Sequence, residues 1–251
     1  MQPTQQKVWR AGRFWWDWPT PHDATMQPLR ALVFDLDALA DIECAGNRPA
    51  FNAAFASLGL DIAWSVPRYR QLLALRDERR RVAAELRKRG ICTECDVLAE
   101  LLVDEICSAK EMILGETILG ADISPRPVLV DLITEAFSAG IGVGIVSTGR
   151  RSWVEPLTRH LVGDGVVGAL VTADDAPQDH RYPAALSELG VTAHDALAFA
   201  GSHNSERAAI AGGLPTVLVD GDLDGAGAAV PRRVADCQRV HDTRRAPQTA
   251  A

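Results

Sequence analysis

Two carboxylates spaced two residues apart are the first residues that could do chemistry. Asp35 closes the apolar run Ala31-Leu32-Val33-Phe34, and Asp37 follows in the turn. Ligands of open α/β sheets bind beyond the carboxyl ends of the strands, and this pair falls at such an end. One carboxylate there can attack phosphorus while the other carries a proton to the leaving oxygen. That chemistry is phosphoryl transfer through an aspartyl-phosphate. A strand-end Asp followed by a turn Asp is also common structural punctuation. Its weight comes from its place after the first buried strand.

The elements that must position the pair can be read from hydropathy. Ala31–Asp35 is apolar without alternation, as in a strand buried on both faces of a parallel sheet. Similar runs recur at Ile141–Ser147, Val166–Thr172, Ala196–Ala200 and Pro215–Val219. Helical stretches at Pro125–Ala139, Ser152–Leu161, Tyr182–Leu189 and Ser205–Ala211 separate the later runs. Strand and helix in regular alternation predict a doubly wound, Rossmann-like parallel sheet of the α/β class. One interval breaks the rhythm. Helices at Pro49–Leu58, Pro67–Arg89, Asp96–Ser108 and Lys110–Leu119 predict an inserted α-helical cap domain. The expected organisation is a Trp-rich extension (1–28), an α/β core (29–42 and 121–240), a helical cap (43–120) and a disordered tail (241–251).

Composition narrows the partners. The 251 residues are 47% hydrophobic and carry a formal net charge of −7, enough chain for a core plus a smaller cap. The acidic balance argues against nucleic acid. No window approaches the roughly 20 apolar residues of a membrane span, and the expected location is the cytoplasm. Trp9, Trp15, Trp16 and Trp18 make the N-terminal extension a candidate protein contact. Cys92-Thr-Glu-Cys95 has metal or redox spacing, but no second ligand pair accompanies it, and the five cysteines suggest no disulfide framework. From Arg68 to Arg89 nine basic residues face Asp77, Glu78 and Glu85. A solvated face with pairs such as Glu85–Arg89 is favoured over an anion-binding helix.

The stretch Phe34-Asp-Leu-Asp37, then Leu39-Ala-Asp-Ile-Glu43 and Gly46-Asn-Arg-Pro-Ala-Phe-Asn52, resembles the opening of haloacid-dehalogenase-like (HAD) phosphatases. It is most similar to the branch holding β-phosphoglucomutases and the sugar-bisphosphate phosphatases of Calvin-cycle operons. The resemblance spans about residues 29–220. It implies the fold just derived, a magnesium ion and a small phosphorylated metabolite as substrate. It makes Asp35 the nucleophile and a metal ligand. Asp37 becomes the acid/base and gives its backbone carbonyl to the metal. Ser147 and Thr148 become phosphate binders at the end of the second core strand.

The sequence departs from the family pattern in three places. Ala38-Leu39 stands where Gly-Thr follows the second Asp. The segment Asp174–Pro183 contains no Lys, leaving Arg181 as the nearest cationic substitute and His180 as a weaker one. Gly201 stands at the expected acidic metal ligand, and Ser205 where a second acid is sometimes found. Magnesium needs near-octahedral oxygen ligation, so its affinity should fall unless Asp174, Asp175 or Glu206 compensates. The resemblance therefore supports two readings. One is a hydrolase with weakened equipment. The other is a catalytically inactive HAD-fold protein that binds a phosphorylated ligand or a protein.

Overall fold

The computed structural model describes residues 6–10, 13–17, 28–75, 77–91, 96–219 and 230–245, with only the backbone described for 6–17 and 244–245. Cys92, Cys95, the segment 220–229 and the indole side chains of the N-terminal extension lie outside the described residues. Within that extension, β1 (Gln6–Arg10) and β2 (Arg13–Asp17) pair antiparallel with Val8 opposite Trp15. No strand was expected there.

The main sheet contains β3 (Ala31–Asp35), β4 (Gly142–Val146), β5 (Ala169–Val171), β6 (Ala196–Ala200) and β7 (Thr216–Leu218). All neighbours are parallel, in the order β5-β4-β3-β6-β7. The chain builds outward from β3 to β5, then returns to the other side of β3. That reversal opens a crevice at the carboxyl ends of β3 and β6, the place where such sheets bind ligands.

Both faces of the sheet are covered, which is why its strands read as unbroken apolar runs. Leu32, Phe34, Ile145, Leu197 and Phe199 face one core, with the Phe34 and Phe199 rings stacked at 4.7 Å. They meet α6 (Pro127–Ser138), α7 (Arg151–Val162) and α10 (Val234–Arg245). Ala31, Val33, Val146, Val171 and Ala198 face the other core, under α8 (Arg181–Leu189) and α9 (His203–Ala211). Helix α10 runs past residue 240, where a disordered tail was expected. His241 on it is fully buried, with Nε2 2.8 Å from the His194 carbonyl oxygen.

Between β3 and α6 the chain is helical. A single turn, α1 (Leu36–Leu39), leads to a wide π-type turn at Glu43–Asn47 and α2 (Arg48–Ser57). The Arg-rich run is two helices rather than one: α3 (Val66–Leu72) and α4 (Glu78–Lys88). Asp77 restarts the helix by accepting the Arg80 amide at 2.8 Å. Conversely, the two helices expected over 96–119 are one. With no breaker between Ser108 and Lys110, α5 (Asp96–Thr117) runs through 22 residues. Phe51, Phe55, Trp64, Tyr69, Val82 and Ile106 form a separate apolar cluster among these helices. Among the described residues no helix is long and apolar enough to cross a membrane.

Candidate active site

A cavity of about 320 Å³ opens at the carboxyl edge of the sheet. Asp35, Asp37, Ser147, Thr148 and Arg181 all line it. The structure therefore brings together five residues from three segments that are far apart in the chain. Its second wall comes from the helices between 43 and 117, through Glu43, Glu78, Arg81, Lys110 and Glu111.

The two aspartates have unequal surroundings. Burial raises the Asp35 carboxyl above its ordinary value, but hydrogen bonds from the Ser205 hydroxyl and the Gly201 and Asp37 amides offset part of this. The Gly201 amide donates at 3.2 Å. Tyr182 Oη lies 2.7 Å from Ser205 Oγ, so a phenol–hydroxyl–carboxylate chain ends on Asp35. Asp37 lacks such support. Its Oδ1 is buried with no hydrogen-bond partner. Burial, then the charges of Asp35, Glu43 and Asp41, push its carboxyl well above the ordinary range, against the opposing charge of Arg126. Both carboxyls are raised, and the stronger push on Asp37 makes it the more readily protonated of the two.

The turn carrying Asp37 is clamped from outside. Arg126, just before α6, donates from one guanidinium nitrogen to the carbonyls of Asp37 at 2.8 Å and Ala38 at 2.6 Å. Its amide donates to the Leu39 carbonyl at 2.7 Å. Sequence reasoning missed this residue, as no motif distinguishes it from a surface arginine. It also missed Tyr182, Glu43 and Trp153. Trp153 is buried against Gly149, where any Cβ would overlap its ring, and its Nε1 donates to Glu111 Oε1 at 3.0 Å. A Gly four residues before a Trp is the only sequence trace of that packing.

Arg181 is buried and lines the cavity, its Nε donating to the Ala176 carbonyl at 3.1 Å. The charge of Asp35 favours its cationic form, although burial pulls its pKa down overall. The remaining candidates turn elsewhere. Asp174 caps α7 by accepting the Arg151 amide at 2.8 Å. Asp175 accepts from the Thr172 amide, the Thr172 hydroxyl and Arg151. Burial raises its carboxyl, but those bonds outweigh it and hold it below the ordinary range. Glu206 lies 3.1 Å from His203 Nδ1. None of the three, nor His180, lines the cavity. The Arg-rich run is a solvated face only in part. Arg68 and Arg89 converge on Glu85, while Arg81 is buried in the cavity wall.

A magnesium ion fits this donor set poorly. A Cβ at Gly201 would overlap the Asp37 carbonyl carbon and the Ala38 nitrogen and stand 2.7 Å from the Asp37 Cβ, so the turn fills the space an acidic side chain would need. That leaves Asp35 and a carbonyl already accepting from Arg126, against an octahedral requirement. Among the described residues no group of three or more His, Cys, Asp or Glu is arranged to hold a metal.

No family model matches the chain. Individual proteins do. Protein CbbY of Cupriavidus necator is 34% identical over 198 residues, 76% of this chain and 78% of the relative. Protein CbbY of Cereibacter sphaeroides is 33% identical over 201 residues, 77% of this chain and 85% of the relative. The crystal structure of CbbY from Rhodobacter sphaeroides in complex with phosphate superposes with a TM-score of 0.63 at 30% identity, covering 82% of this chain and 92% of that one. An aspartate-to-asparagine mutant of that CbbY, in complex with xylulose-(1,5)bisphosphate, gives a TM-score of 0.64 at 29% identity, with 82% and 93% covered. With the parallel sheet, the helical insertion and the paired aspartates at its switch point, these likenesses place the chain in the CbbY-like branch of the HAD hydrolase superfamily, to which it belongs.

Proposed function

We propose that the chain hydrolyses a small sugar phosphate, with Asp35 as nucleophile and Asp37 as acid and then base. The observation that carries this is the unequal pair: two carboxylates face one cavity, one rich in hydrogen-bond donors and the other with none on Oδ1. The xylulose-(1,5)bisphosphate and phosphate complexes of CbbY supply the substrate class. In the first step Asp35 attacks phosphorus, the bond to the ester oxygen breaks, and protonated Asp37 gives that oxygen its proton. In the second, Asp37 takes a proton from water as the water attacks phosphorus, releasing inorganic phosphate and the free Asp35 carboxylate. Ser147 and Thr148 hold phosphate oxygens. Arg181 supplies the positive charge that the missing lysine would have given, with the fixed geometry of a guanidinium. The helices over 43–120 act as a cap that shields the cavity from water. The donor set around Asp35 does not suit a magnesium ion.

Gly201, packed on the Asp37 turn, favours a second reading in which the same cavity binds a phosphate ester without turnover. Electrostatic stabilisation is the largest catalytic contribution in most enzymes, and loss of one stabilising group costs about 100- to 1,000-fold. Phosphate release from a sugar-phosphate panel, with magnesium and with chelator, separates the two. The hydrolase reading expects turnover in the wild type that disappears in Asp35→Asn. Phosphate binding with no turnover above Asp35→Asn establishes the binding reading in its place.

A further inference from the structure

Gly201 stands where an acidic metal ligand was expected and Ser205 where a second acid is sometimes found, yet both donate to Asp35. The Gly201 amide donates at 3.2 Å, and the Ser205 hydroxyl donates to the same carboxyl. A metal site needs acceptors at such positions, whereas a carboxylate held by the protein needs donors. The Asp37 carbonyl is engaged as well, by the Arg126 guanidinium at 2.8 Å. The carboxyl and the carbonyl that would face a cation thus already accept from the chain itself.

Ser205 is itself held from behind. Its amide donates at 3.2 Å to Ser202 Oγ, which caps α9 and fixes Ser205 in the first turn of that helix. Its Oγ lies 2.7 Å from Tyr182 Oη. A hydroxyl has one proton to give. With that proton on Asp35, Ser205 Oγ is the acceptor of the second bond and the Tyr182 phenol is its donor. Tyr182 is 2% exposed and belongs to the apolar core under α8 and α9, so its ring has little freedom to turn away.

Resting on the hydrolase reading above, we propose that Ser205 and Tyr182 are positioning residues, a Tyr182–Ser205–Asp35 chain of hydrogen bonds that aims the nucleophilic carboxylate in place of a divalent cation. The phenol acts only through the serine, so the two residues work in series. Asp35 needs no magnesium to be held, and turnover does not depend on the ion.

Hydrolysis of p-nitrophenyl phosphate, beside the sugar-phosphate panel, tests this. Its leaving group departs without a proton, so its release reports on the attack by Asp35. The full-length wild type, Ser205→Ala, Tyr182→Phe and the double variant are compared in chelator and in magnesium, with Asp35→Asn as the blank. Wild-type turnover is expected to persist in chelator and to gain nothing from magnesium. Loss of one hydrogen bond to a charged group lowers kcat about 10- to 100-fold in Ser205→Ala. KM stays nearly unchanged, since the contact is to the nucleophile rather than to the substrate. Tyr182→Phe loses about 3- to 10-fold, and the double variant falls no further than Ser205→Ala. Losses that multiply overturn the series arrangement. Turnover that chelator abolishes and magnesium restores overturns the proposal and leaves hydrolysis at Asp35 standing. No turnover of any substrate above Asp35→Asn, in either condition, fails the hydrolase reading and the proposal with it.

Discussion

Gly201 and Asp37 touch backbone to backbone, so closely that a Cβ on the glycine would stand 2.7 Å from the Cβ of Asp37. The contact joins the end of β6 to the turn after β3 and fixes the height of Asp37 in the cavity. Gly201→Ala must therefore push the turn aside. Overpacking of this kind costs about 1–3 kcal/mol, or roughly 3–10 °C in Tm for a chain of this size. Thermal denaturation measures the loss. An unchanged Tm would mean that the contact relaxes freely.

Asp37 also makes stability depend on pH. Its carboxyl is raised in the folded protein, so between the unfolded value of about 3.9 and its higher native value the folded chain holds the extra proton. Stability from this group is complete below the unfolded value and is lost as pH rises through the native one. Asp37→Asn cannot ionise. It is expected to be more stable than wild type at pH 7, with the difference shrinking as the pH approaches 4. Denaturant midpoints at several pH values test this, and a gap that widens on acidification contradicts the assignment.

Arg126 holds two carbonyls of the same turn with its side chain and a third with its amide. Arg126→Ala keeps the amide bond and loses the guanidinium bonds, at a cost of about 2–4 kcal/mol. Tm should fall by roughly 5–15 °C, with Arg126→Lys recovering part of the loss. Activity or phosphate affinity should fall as well, since Asp37 is no longer held. A stable variant with unaltered binding would show the clamp to be redundant.

A hydrogen bond between Trp153 and Glu111, both lining the cavity, joins α7 to α5. A double-mutant cycle of Trp153→Phe and Glu111→Ala isolates that bond from the packing of the ring. A coupling of about 0.5–1.5 kcal/mol is expected for a partly buried hydrogen bond. Strict additivity would show that the bond contributes nothing to stability.

What the sequence disclosed follows from where physical constraint is local. Ala31–Asp35 and Ala196–Ala200 were legible because strands covered on both faces have no polar residue to interrupt them. Asp35 and Asp37 were legible because they lie directly after such a run. The break at Leu73–Asp77 was not, since α3 and α4 share one composition and only the capping geometry of Asp77 divides them. Arg126 and Tyr182 reach the site through contacts 89 and 23 residues away in sequence, which no local pattern encodes. The displacement of an acidic ligand at Gly201 could be read, but the reason there is no room for one needed the neighbouring turn.

Helix α5 has a mechanical meaning. Its 22 residues extend about 33 Å, and it is seated at two places: Val103 and Ile106 in its middle belong to the helical cluster, and Leu114 near its end to the core of the sheet. A rod seated in two bodies resists rotation of one against the other.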